Sequence, residues 1–175
     1  VHAGIDDYLR LLSDLTGVAL GIAPHSLRAV PPGELALLEN GATALLGDEF
    51  PCHIHIAEQP TEVEACLAAL GRTPVDVLDD AVELSGRWQL VHATHATEAE
   101  LDRAIETGAG VVLCPLTEAY LGDGIFPARR FVERGGRLSI GSDSNVRLDA
   151  VEELRLLEYG QRLAGGRRAC LADES

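Results

Sequence analysis

The stretch "HIHIAEQP", residues 53–60, decides how the rest of the chain is read. His53, Ile54, His55 and Ile56 alternate polar and apolar, which is the two-residue period of a strand with one buried face. His53 and His55 therefore share a side, and Glu58 lies just past the strand end. Read blandly, this is a pair of hydrogen-bonded core histidines and a surface glutamate. The other reading is His55-x-x-Glu58 carried to a strand terminus to do chemistry.

Working outward, apolar runs alternate with amphipathic stretches along the whole chain, the rhythm of βα units and a parallel sheet. Strands are expected near residues 17–23, 51–57, 88–92, 110–114 and 137–142. In "TEVEACLAALG", Val63, Cys66, Leu67 and Leu70 recur at i, i+3, i+4 and i+7, and Gly71 can close the helix they predict. A second helix opens with Thr97 and Glu100 in capping-box spacing, buries Leu101, Ala104 and Ile105, and stops at Gly108. Weaker helical patterns cover about 33–46, 75–84, 128–134 and 150–163, and "DDYLRLLSDL" is another near the start. Five strand-helix units fit a doubly wound sheet or part of a (β/α)₈ barrel, and their spacing does not separate the two.

Length and charge restrict the function classes. At 175 residues the chain is expected to be a single domain able to bury a core. A net charge of −14 with no basic block argues against nucleic acid or an anionic membrane as partner. No apolar run approaches the roughly 18 residues that span a bilayer. Cys52, Cys66, Cys114 and Cys170 are widely spaced with no CxxC pair, so neither a disulfide framework nor a zinc knuckle is expected, and a reducing cytoplasm is the simpler setting. The chain has no Met and opens at Val1 almost directly on a helical pattern, as expected of a piece of a longer protein.

In parallel α/β folds, ligands gather at the C-terminal ends of the strands. The unusual residues fall there: His25 and Arg28, His55 and Glu58, His92 and His95, Thr117 and Glu118, and Asp143, each set following one predicted strand. Asp143 after "LSIGS" could be a helix N-cap, or a ligand and base. Histidine nitrogen and carboxylate oxygen from separate strands could together hold one Zn²⁺-like ion.

HIHIAEQ, LVHATH, CPLTEAYLGDGIFP, IGSDS and EELRLLEYGQRL together resemble the C-terminal half of the amidohydrolase superfamily, and within it the deiminases that act on N-formimino-L-glutamate in histidine degradation. The likeness runs from about Gly21 to Leu163, and "APHSLRAV" and "TEAYLGDGIFP" carry most of its specificity. It implies a metal-dependent (β/α)₈ TIM barrel of which this chain supplies about strands 4 to 8, the first strands being absent. It also implies one divalent ion, Zn²⁺, held by His55 and Asp143, with further ligands from a first-strand His-x-His that this sequence lacks. Glu58 matches the proton-shuttling glutamate, His92 the histidine that polarises the substrate, and Arg28 a position that binds the substrate carboxylate, with His25 nearby. His53 and His95 receive no catalytic role and are left as core or supporting residues.

The reaction so implied removes ammonia from the formimino carbon, leaving N-formyl-L-glutamate. Asp143 takes a proton from the attacking water, and Glu58 carries one to the departing nitrogen. The family resemblance further implies a homodimer when complete. Tyr120 stands where that family usually has Asn, and Asn145 where it usually has His, both near the barrel mouth. Two other readings stay open: a related deaminase or chlorohydrolase for ring amidines, which would have no need of Arg28, and an inactive piece used for association.

Overall fold

The computed structural model describes residues 4–145 and 147–171. Four parallel strands, β1 (Cys52–Ile56), β2 (Trp88–His92), β3 (Gly110–Leu113) and β4 (Arg137–Ile140), pair in the order β1-β2-β3-β4. Among the described residues, eight helices accompany them: α1 (Ile5–Asp14), α2 (Pro32–Leu46), α3 (Pro60–Leu70), α4 (Pro74–Ala81), α5 (Glu98–Thr107), α6 (Pro115–Leu121), α7 (Ala128–Glu133) and α8 (Ala150–Gly165). Consecutive parallel strands joined by helices build a barrel wall, whereas a doubly wound sheet reverses its strand order partway. The observed order removes the ambiguity that spacing leaves. No described helix is long and apolar enough to cross a membrane.

The two faces of this sheet differ sharply. Cys52, Ile54 and Ile56 alternate with His53 and His55, and the register sets Ile54 beside Leu90, Leu90 beside Val111, and Val111 beside Leu138. These side chains join Trp88, Leu113, Phe126 and Phe131 in the main core beneath the helices. The opposite face carries a small separate cluster of Val91, Val112 and Cys114, and His53 on that face is exposed. His53 is therefore not a core residue, which removes one of the two places the sequence left open for it.

Local sequence explains most helix ends. Proline opens α2, α3, α4 and α6, where the missing N–H costs nothing and φ is already helical. Gly71 and Gly108 close α3 and α5 in the left-handed conformation that glycine takes without Cβ strain. The expected capping box at Thr97 and Glu100 forms.

Three expectations change. The predicted strand over 17–23 shrinks to a single bridge between Ile22 and Cys52, because only Ile22 finds ladder partners: its N–H donates to Pro51 O (3.0 Å) and its carbonyl accepts from His53 N (3.0 Å). The apolar stripe of α3 is not buried: Leu67 and Leu70 are 44% and 52% exposed, while Glu62 turns inward because its Oε2 accepts the Glu58 N–H (2.9 Å). Helix α6, unforeseen in sequence, fills the gap between Pro115 and Gly122, and it carries Thr117 and Glu118.

Candidate metal and active site

His55, His92 and Asp143 come from the ends of β1, β2 and β4, and one ligand atom of each lies within 4.8 Å of the others. His55 Nε2 is 3.5 Å from Asp143 Oδ1, and His92 Nε2 is 3.8 Å from Asp143 Oδ2. Glu58 Oε1 stands 3.7 Å from His92 Nε2. Arg28 Nη2 donates to Glu58 Oε2 at 3.3 Å, so the residue expected to bind a substrate carboxylate is held by the residue expected to move protons. The site residues singled out in sequence thus converge, with His25 at the rim. The rings of His25 and His55 stack at 4.9 Å.

The backbone at this rim is unusual. Of the five non-glycine residues with positive φ among those described, Ala57, His92, Ala93 and Asp143 follow or end the site strands. The left-handed region costs a non-glycine residue on the order of 1–3 kcal/mol, and such strain gathers at functional sites. At His92 it has a visible use. Simple alternation would place this side chain beside Trp88 and Leu90 in the helix-covered core. With φ at 69° the strand pleat is broken, and the ring lies 5.5 Å from that of His55 on the other side. Asp143, with φ at 50°, is a rim residue and not a helix cap; Asp149 caps α8 by accepting from Val151 N and Glu152 N.

Each histidine has one ring nitrogen already committed. His55 Nδ1 donates to the carbonyl of His25 (2.9 Å), which leaves Nε2 turned to Asp143. His92 is fully buried, its Nδ1 meets Glu118 Oε1 at 3.1 Å, and its Nε2 has no hydrogen-bond partner among the described residues. Burial pulls the His92 pKa down, but the hydrogen bond it donates to Glu118 and the charges of Glu58, Glu118 and Asp143 together carry it above the ordinary histidine value. An orphaned buried nitrogen, a second free imidazole nitrogen and a carboxylate facing one point form a donor set suited to a divalent ion such as zinc. The sequence alone yields two such ligands, and the geometry adds His92 as a third donor within reach.

Other nearby groups have different roles. Burial pushes the Cys114 thiol up to about 12, so this neighbour of the site is not a thiolate. His95 sits beside the rim, with its Nε2 against the Asp123 carbonyl (2.6 Å), and Gln59 Nε2 donates to Asp123 Oδ1 (3.0 Å). These bonds tie the loop after α6 to the ends of β1 and β2. Tyr120, 84% exposed, shares a shallow hollow with Thr117, Leu121, Ser144 and Asn145, so the two departures from the family pattern lie together. Glu118 is the site residue whose role sequence reasoning missed. It appears there only as a polar residue past a strand, because its contact with His92 spans 26 positions.

A parallel sheet whose strand ends gather two histidines, an aspartate and a buried glutamate defines an α/β-barrel scaffold with a candidate divalent-metal centre. The chain belongs to the amidohydrolase family, whose model matches residues 5–172. It is 51% identical to the formimidoylglutamate deiminase of Pseudomonas aeruginosa over 171 residues, covering 94% of this chain and 37% of that protein. Among solved structures, it resembles an amidohydrolase from Brucella melitensis with a TM-score of 0.86 and 46% identity, covering 99% of this chain and 39% of that one. A zinc-bound adenosine deaminase from Xanthomonas campestris superposes with a TM-score of 0.83 and 27% identity, covering 95% and 38% of the two chains. This chain thus spans well under half the length of these relatives.

Proposed function

We propose that this chain forms the later strands of a (β/α)₈ barrel in a longer metal-dependent hydrolase that converts N-formimino-L-glutamate and water to N-formyl-L-glutamate and ammonia. The convergence of His55, His92 and Asp143 on one point, with Glu58 behind them, carries this reading. Similarity to the Pseudomonas deiminase supports the choice of substrate. His55 Nε2 and Asp143 would hold the ion, with His92 Nε2 facing it. A zinc ion bound there supplies Lewis acidity and lowers the pKa of water.

The chain's own groups supply the rest. An Asp143 carboxylate oxygen accepts the proton of the attacking water, and Glu58 Oε1 moves a proton to the departing nitrogen. His92 acts from its buried position by turning its free Nε2 toward the same point. Arg28 is half-exposed, and its guanidinium rests on Glu58. An incoming substrate carboxylate offers Arg28 a two-oxygen partner that matches its donor fork, and its arrival releases Glu58 for proton transfer. On a chain of net charge −14, this local cation is what makes an acidic substrate tolerable. The family resemblance also leads us to propose zinc as the metal, a homodimer, and a cytoplasmic location for the complete protein.

The test is to load the complete protein with Zn²⁺ and compare ammonia release from N-formimino-L-glutamate with that from guanine-like and triazine-like amidines. Preference for the linear acidic substrate is expected, and preference for a ring amidine would overturn the substrate assignment. Residues 1–175 purified alone should show no turnover and at best micromolar zinc binding by calorimetry, since the His-x-His pair that the family resemblance implies as further ligands is not in this sequence.

A further inference from the structure

We propose that Glu118 is a positioning residue for the metal centre, one that holds the proton of His92 on Nδ1 and so keeps Nε2 unprotonated and aimed at Asp143 and His55. An ionised carboxylate can only accept, so at 3.1 Å from Glu118 Oε1 the His92 Nδ1 must be the donor. The other ring nitrogen faces Glu58 and Asp143 at 3.7 and 3.8 Å, beyond hydrogen-bond reach. The ring is fully buried and Glu118 is 5% exposed, so water cannot substitute for either partner.

Glu118 is itself fixed. Its Oε1 also accepts the Cys114 N–H at 2.8 Å, which anchors the carboxylate to the turn between β3 and α6. Thr117 Oγ1 donates to the Ser142 carbonyl (3.0 Å), tying the same helix to the residue before Asp143. Helix α6 therefore links the orientation of His92 to the placement of Asp143. His55 is built otherwise: a neutral backbone carbonyl, that of His25, takes its Nδ1 proton at 2.9 Å. A carboxylate behind an imidazole raises its basicity as well as orienting it, and removing such a partner typically costs about 10–100-fold in metal affinity or activity.

The experiment uses the complete protein, metal-free and labelled with ¹⁵N-histidine, at a pH above the titration of the His92 ring. Two-bond ¹H–¹⁵N spectra should show His92 as the Nδ1–H tautomer. Glu118→Ala should mix the two tautomers at His92, leave His55 unchanged and weaken zinc binding in a calorimetric titration by about 10–100-fold. Glu118→Gln keeps an oxygen acceptor without the charge, so it should preserve the tautomer while recovering only part of the zinc affinity. Glu153→Gln is the structural control: Glu153 Oε2 accepts the Leu116 N–H (2.8 Å) and supports α6 without touching His92. It should leave both readings at the wild-type values. A wild-type Nε2–H tautomer would overturn the proposal, and so would equal effects of Glu118→Ala and Glu153→Gln. If Glu118→Ala fails to fold, the wild-type tautomer and the Glu118→Gln affinity still decide. The inference rests on the proposed metal site and not on the substrate, so a different preferred amidine leaves it standing.

Discussion

The two faces of one sheet follow different rules. On the helix side, Cys52, Ile54, Ile56, Trp88, Leu90 and Val111 are at most 1% exposed, and each is held by apolar neighbours. On the other side, His53 is open, Val91, Val112 and Cys114 form a minor cluster, and the rim sets His55 and His92 against Asp143 and Glu58 at 3.5 to 3.8 Å. Burial of apolar area stabilises the first face at roughly 25 cal/mol per Å². The second face spends stability on four left-handed residues and an orphaned His92 nitrogen. Stability and chemistry are thus separated by a single strand's thickness, and substitutions on the two faces should report different quantities.

The sharpest separation is expected at Asp143. Asp143→Asn should abolish ammonia release and metal retention while leaving the urea midpoint near wild type, since an amide is a poor ligand and a poor proton acceptor. Full metal content with near-normal turnover in this variant would remove Asp143 from the centre.

The reverse pattern belongs to Trp88. Truncating this fully buried ring to Ala should cost about 3–5 kcal/mol in denaturant unfolding. It also frees Glu39 Oε1 from the indole N–H, which donates to it at 3.2 Å. His53→Ala, one register position away on the open face, should change stability by less than about 0.5 kcal/mol. Similar losses from the two would erase the distinction between faces.

Arg28 lies between these extremes. Arg28→Lys should raise KM for N-formimino-L-glutamate by an amount equivalent to about 1.5–3 kcal/mol, the usual worth of a hydrogen bond to a charged group. A ring amidine without a carboxylate should be turned over almost as before. An unchanged KM for the acidic substrate would show that its carboxylate is read elsewhere.

The smallest effect is expected outside the core, where α4 meets α5. Arg103 Nη1 donates to Asp76 Oδ1 at 2.8 Å, and this hydrogen bond holds the Asp76 carboxyl below its usual value. A depressed carboxylate contributes stability above its unfolded pKa and loses it as pH falls through the folded value. Asp76→Asn should therefore flatten the acid limb of the stability profile slightly and leave neutral turnover unchanged, with the pair worth at most about 1 kcal/mol. A large loss at neutral pH would mean that this pair belongs to the core face.

Much of this was legible in the sequence. The two-residue alternation of 53–56 sets which residues of β1 face the helices, prolines mark where four helices begin, and Thr97 with Glu100 fixes the start of α5. These are local effects, decided by backbone geometry within a few residues. Family resemblance adds the pairing of His55 with Asp143, which no local rule supplies. The predicted strand at 17–23 fails because a strand needs a neighbour to complete its hydrogen bonds, and within that stretch the bridge to β1 is made at Ile22 alone.

Tertiary structure alone decided the rest. Alternation would bury His92 among Trp88 and Leu90, and only its left-handed backbone brings the ring round to His55. Glu118 acquires its meaning from a partner 26 residues away, and the hold of Arg28 on Glu58 spans 30. Sequence by itself determined about where the four paired strands would end and which chemical groups would stand there. Which of those groups would touch was settled by strand order, register and a few strained rim residues, because contact between distant side chains depends on how the whole sheet is assembled.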